Sequence, residues 1–365
     1  MATLLQQYSV GSNAVWLDEL PEVGVETSDR SVRFTFSVCG ESVYQDTLYP
    51  FQGKVRVDMR TLVSERMLIK NIVYARLTFT FTDSAGSVTC YLNAIRRRIY
   101  TSATLYEWCD SRFLTLARGK YMPYGMIDMV TAYIPRYESA ADTDVSGRID
   151  VQYRNADGDV MAVSSDFNPV ERDAVATVQT FAVSWPELPE GAVPIMMTVT
   201  LEGRSLTYYH TDMECTGIRF INAFGAPENM FEPVGISYET KVSSSVAMIR
   251  LQKHVYDLEV NQALSLTFRA CNTSDYAYIC QLAESPEIKV WTDCRLMPCA
   301  AISPAGGLSL IADSCEYSAD PDSESALIPV IKCHPTSSLP ISPDIDTRGT
   351  GTSGIFTSQF TKEYQ

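Results

Sequence analysis

Histidine is scarce in this chain of 365 residues: His210, His254 and His334 are the only three. They lie far apart, and none has a second histidine at metal-ligand spacing. No CxxC pair occurs among the ten cysteines, so a zinc site has no sequence support. Walker, GxGxxG and GxSxG motifs are missing, which removes the usual phosphate cradles and the strained serine nucleophile. No apolar run approaches the roughly 18 residues that cross a bilayer as a helix. Basic runs are also rare. Arg96-Arg97-Arg98 is the one cluster, in a chain of net charge −15, and such a balance argues against an electrostatic grip on nucleic acid. The opening Met1 to Tyr8 has no basic n-region or long apolar h-region. The expectation is a chain without a secretory leader, with its thiols reduced and mostly buried.

What is present is alternation. Val32, Phe34, Phe36 and Val38 point one way, while Arg33, Thr35 and Ser37 point the other. Val55, Val57 and Met59 repeat the pattern, as do Leu77, Phe79 and Phe81, then Ile149, Val151 and Tyr153. Met197, Val199 and Leu201 follow, and later Leu264, Leu266 and Phe268. Strands buried on one face belong to antiparallel sheets, because parallel strands covered on both faces read as continuous apolar runs. Asp83 to Gly86, Asn155 to Gly158 and Glu202 to Ser205 supply hairpin turns. The spacing predicts only two helices, over 61–70 and over 275–284, the second capped by Ser274 and stopped by Pro286. The fold class is therefore all-β, built from several antiparallel sandwich-like domains.

Four segments are expected. An N-terminal β-sandwich covers 1–112. A middle β-domain covers 113–213. A C-terminal β-domain with a short helix covers 214–335, and a Ser/Pro/Gly-rich tail covers 336–365. Within that tail Phe356, Phe360 and Tyr364 recur every fourth residue, so they are expected to form a face that docks on a neighbouring subunit. Arginine outnumbers lysine by 21 to 8 and there are 20 tyrosines, a balance that interfaces favour.

Candidates for chemistry are thin. Asn155 to Asp159 has the outline of a calcium loop, but the glycine comes one place early and no bidentate glutamate follows. No catalytic, cofactor or metal residues are assigned, and the chain is not expected to be an enzyme. The most specific stretch is Ile221-Asn-Ala-Phe-Gly-Ala-Pro-Glu228. There Asn222 can bond local backbone, Gly225 can take positive φ, Pro227 fixes the exit and Glu228 closes the corner.

That corner resembles the LN-x-x-G-x-x-E corner of tail and baseplate proteins from phages and prophages of Bacteroides-type bacteria. The stretch from Thr27 to Arg60 resembles the opening β-sandwich of the same group. Leu282 to Val290 resembles its helix-to-strand junction, and Phe356 to Phe360 its terminal segment. Residues 113–213 show little likeness and read as an insertion. The resemblance implies a structural component of a phage tail or baseplate, of distal-tail type. It would self-associate into a ring or collar, generally sixfold, and dock neighbouring tail or baseplate proteins. It would assemble in the host cytoplasm and end in the virion. One alternative is a receptor- or carbohydrate-binding protein of the phage tip that stacks a host surface glycan on Tyr121, Tyr124 or Trp185. A second is a glycan or cell-wall hydrolase with converging carboxylates.

Overall fold

The computed structural model describes residues 2–6, 14–70, 72–99, 101–134, 145–167, 177–212, 214–249, 252–296, 307–320 and 323–336. Strand accounts for 57% and helix for 12%, so the all-β expectation holds. The tail residues Phe356, Phe360 and Tyr364 lie outside the described residues.

The first unit packs two sheets. One has the order β2 (Ala14–Trp16), β8 (Gly86–Ile95), β7 (Tyr74–Asp83), β4 (Val32–Val38), β5 (Glu41–Leu48). The other is β1 (Thr3–Leu4), β3 (Val23–Glu26), β6 (Lys54–Val57). Alternation does the work here. Phe34 pairs with Phe81 and Phe36 with Phe79 across β4 and β7, with ring centroids 4.9 Å apart in each pair. All four rings are buried. Met59, expected inside strand β6, instead precedes helix α1 (Arg60–Ile69), whose Val63 and Met67 close the core.

A helix that periodicity does not reveal, α2 (Leu105–Ser111), leads to the second unit. Thr104 caps it by accepting from the Glu107 amide, and the Glu107 carboxylate accepts from the Thr104 amide in return. The second unit joins a five-stranded sheet to a two-stranded one. The former runs β12 (Val160–Phe167), β11 (Gly147–Arg154), β14 (Val193–Leu201), β15 (Arg204–His210), β9 (Gly119–Met122). The latter pairs β10 (Ile127–Ile134) with β13 (Thr177–Ser184). Asn155 to Gly158 and Glu202–Gly203 form the expected hairpins, so the calcium-loop outline is a turn in which Asn155 accepts from the Asp159 amide.

The third unit is one seven-stranded sheet. Its order is β17 (Pro227–Glu232), β16 (Thr216–Ile221), β20 (Ile288–Trp291), β21 (Leu308–Asp320), β22 (Ser323–Pro335), β19 (Gln252–Thr267), β18 (Gly235–Ile249). Helix α3 (Thr273–Cys280) packs near β22 and is capped by Asn272, two residues ahead of the expected Ser274. Strands β18 and β19 pair from Gly235/Thr267 out to Ile249/Gln252, whereas β19 meets β22 only from Leu264 to Thr267. Beyond that short contact the hairpin continues as a two-stranded arm for roughly 35 Å.

Where the three units meet, Trp16, Ile95, Leu105, Trp108, Leu114 and Phe224 form a shared apolar junction. Phe224, from the corner, stacks on Trp16 at 5.9 Å and tilts against Trp108 at 5.3 Å.

Candidate functional site

The corner is built as its residues dictate. Asn222 Oδ1 accepts from the amides of Phe224 and Ala226, both at 3.0 Å. Gly225 sits at φ +84°, a region closed to most side chains, and Pro227 opens β17. Asn222 Nδ2 then donates to the Leu114 carbonyl and to Glu228 Oε2, both at 2.8 Å.

Through Glu228 the corner reaches a buried polar cluster shared by the second and third units. Along β9 the residues alternate, so Lys120 turns inward while Tyr121 turns outward. Lys120 Nζ lies 2.5 Å from Asp128 Oδ2 and 3.0 Å from Glu228 Oε1. Thr115 and Tyr278 hydroxyls donate to Glu228 Oε1 at 2.7 and 3.2 Å, and Tyr208 donates to Asp128 Oδ2 at 2.9 Å. The amides of Met129 and Asn229 supply Asp128 Oδ1. Every carboxylate oxygen of the pair is thereby satisfied, which makes burial of these charges tolerable. Burial alone would push the Lys120 ammonium down, but its two carboxylates outweigh this and hold it up. Burial likewise pushes Asp128 up, against Lys120. With its groups sealed from solvent, the cluster acts as a lock that fixes the two units together.

Tyr278 links the lock to an open cleft of about 440 Å³ between the same units. Tyr121 on β9, Tyr209 on β15, Glu232 at the end of β17, and Arg269, Asn272 and Asp275 around α3 line it. Tyr209 and Tyr121 are register partners with ring centroids 6.0 Å apart. Gly119 makes room for this pair, since a Cβ there would lie 2.9 Å from the Tyr209 ring. The Arg269 guanidinium stacks 4.1 Å above the Tyr121 ring and its Nε reaches Glu232 Oε2 at 3.2 Å. Burial pushes the Glu232 carboxyl up to about 7; Arg269 opposes this and Asp275 adds to it. The cleft thus offers an exposed aromatic face beside a donor–acceptor pair.

Other sequence candidates are placed elsewhere. Trp185, read as an exposed sugar platform, is instead core: it is 6% exposed and its indole N–H donates to the Met122 carbonyl at 3.0 Å. Pro189 opens a turn a few residues later, its carbonyl accepting from the Ala192 amide at 3.0 Å, and the Trp185 ring packs in the core of the second unit. Tyr124 is exposed beside Pro186. His210 faces Trp185 edge-on, and His334 pairs with Asp313 at 2.7 Å, so the two are in different units. His254 lies on β19. Among the described residues no group of three or more His, Cys, Asp or Glu could hold a metal ion, and no helix is long and apolar enough to cross a membrane. Lys120, Asp128, Tyr209, Glu232 and Arg269 were not singled out from the sequence, because nothing in local spacing marks them.

No protein-family model matches the chain, and no curated protein does. Among solved structures, the extracellular region of plexin A4, domains 1 to 8, is similar over 93% of this chain at 10% identity and a TM-score of 0.21. This chain spans about 40% of that structure's length. A likeness of that size carries no argument.

Proposed function

We propose that the chain is a structural, self-associating component of a phage tail or baseplate that also docks neighbouring components. The observation that carries the self-association is the β18–β19 arm. An isolated two-stranded ribbon is at best marginally stable in water, so an arm extending beyond its sheet gains most when a second surface receives it. The three units behind the arm share one apolar junction, and a buried polar lock joins the second to the third, which suits a rigid block in an assembly. The tail and baseplate context rests on the sequence resemblance. The test replaces residues 241–260 with a two-residue turn. Full-length protein should form a defined oligomer by light scattering, and the shortened protein should be monomeric with an unchanged melting temperature. Equal oligomerisation of both would remove the arm from the account.

The cleft favours a second reading, binding of a host surface glycan. Tyr209 is 45% exposed and offers a ring for stacking, with Glu232 and Arg269 beside it for sugar hydroxyls. Calorimetric titration with surface polysaccharide fragments tests it. Binding lost in Tyr209→Ala supports it, and cleavage of the fragments would shift the reading to a hydrolase.

A further inference from the structure

A second cavity, of about 430 Å³, opens on the first unit between α1 and the segment leaving β8. Arg60, Thr61, Asp18, Arg96, Arg97 and Arg98 line it, so four arginines gather there in a chain of net charge −15. Their partners differ. Arg97 is spoken for: it holds Asp18 at 2.8 Å and Glu19 at 2.6 Å and lies 5.0 Å over the Trp16 ring. Arg98 Nη2 donates to the carbonyls of Ile221 and Asn222 at 3.1 and 2.8 Å, but its Nε is buried without a partner. Arg96 is only 8% exposed, its Nη1 is buried without a hydrogen-bond partner, and no carboxylate pairs with it among the described residues. Burial pushes both guanidinium pKa values down, and Arg96 works against Arg98 in the same direction.

An unpaired buried guanidinium is costly, and native folds keep such a group when something else satisfies it. The first turn of α1 faces the same space. That helix has no acid within its first turn, and Asp58 Oδ1 accepts from the Arg60 amide at its start at 2.9 Å. Glu65 also lines the cavity and is exposed, while Asp18 is already taken by Arg97.

We propose that this cavity binds a small oxyanion of the phosphate or sulfate class, held chiefly by Arg96, with Arg98 and Arg60 completing the grip. A planar guanidinium suits two oxygens of such an anion, and Arg96 lines the cavity with no carboxylate partner among the described residues. The proposal is independent of the tail reading and of the glycan cleft.

Calorimetric titration of the full chain with inorganic phosphate, inorganic sulfate and glycerol phosphate, at fixed ionic strength, tests it. Saturable binding of one anion per chain is expected, with a rise in melting temperature that chloride does not give. Preference for glycerol phosphate would identify a phosphate ester as the ligand, and equal binding a free anion. Arg96→Met should weaken binding at least about tenfold. It should leave the anion-free melting temperature unchanged or higher, because an unpaired buried charge is removed. Arg60→Gln, at an exposed residue whose Nη2 also donates to the Leu20 carbonyl at 3.0 Å, should weaken binding, and Arg148→Gln on the second unit should leave it unchanged. A weak, non-saturating response shared by wild type, Arg96→Met and Arg60→Gln means an adventitious ion only and overturns the proposal.

Discussion

Glu232 is the side chain whose ionisation most directly ties this fold to pH. Its carboxyl is raised to about 7 in the folded protein, above the ordinary carboxylate range, so the folded state holds the proton more tightly than the unfolded chain. The stability from that proton is fully present below about pH 4.5 and is lost as pH rises through 7. The loss is on the order of 3 kcal/mol. Glu232→Gln should therefore flatten the fall in melting temperature between pH 4.5 and 7.5; an unchanged slope would count against the assignment. Lys120 makes the opposite kind of demand. Lys120→Met leaves Asp128 and Glu228 buried without their cation and should cost about 3–5 kcal/mol, read from the urea midpoint. Cysteines complete the residue scale. The nine described ones are free thiols, most of them buried, yet Cys215 and Cys294 approach to 3.1 Å and Cys280 and Cys315 to 3.0 Å. Alkylation of protein kept under reductant should label all ten after denaturation. On exposure to oxidised glutathione these four should lose reactivity before Cys90 or Cys333, which have no thiol neighbour among the described residues.

Period-two patterning made the half-buried strands legible, because one core face and one solvent face force alternation. Val32 to Val38 and Leu77 to Phe81 are strands with the expected residues inside. Short helices were harder. Helix α2 spans only seven residues, too few for periodicity to register, although Thr104-Leu-Tyr-Glu107 has the spacing of a capping box. Thr104→Ala should cost about 1 kcal/mol, measurable in the same denaturation series. At α3 two competent caps lie two residues apart. Asn272 prevails because Cys271 is pinned by backbone bonds to Leu327, which fixes where the helix can begin. The corner was legible as a corner but not as the end of a polar lock. Its partners come from residues 115 to 278, and only the folded sheets bring them together. For the same reason the cleft left one trace in the sequence, Tyr121, while Tyr209, Glu232 and Arg269 had no local signal.

Across the whole molecule, the second and third units behave as one body. Phe231, Trp291, Cys215 and Cys294 from the third complete the core of the second, and the lock spans the same boundary. The corner ties in the first unit as well, through Phe224 at the junction and through Arg98, whose amide donates to the Ala223 carbonyl at 2.8 Å. Phe224→Ala should cost about 3–5 kcal/mol. Because it loosens all three units, calorimetric unfolding should change from one transition to two or more. We propose that the β18–β19 arm of this rigid block engages a neighbour. The most direct measurement is therefore the mass of the purified full chain by light scattering across a concentration series, followed by electron microscopy of the separated species. The account predicts a defined oligomer that images as a closed ring or collar. A monomer at every concentration, with the arm protected from proteolysis by its own chain, would contradict it.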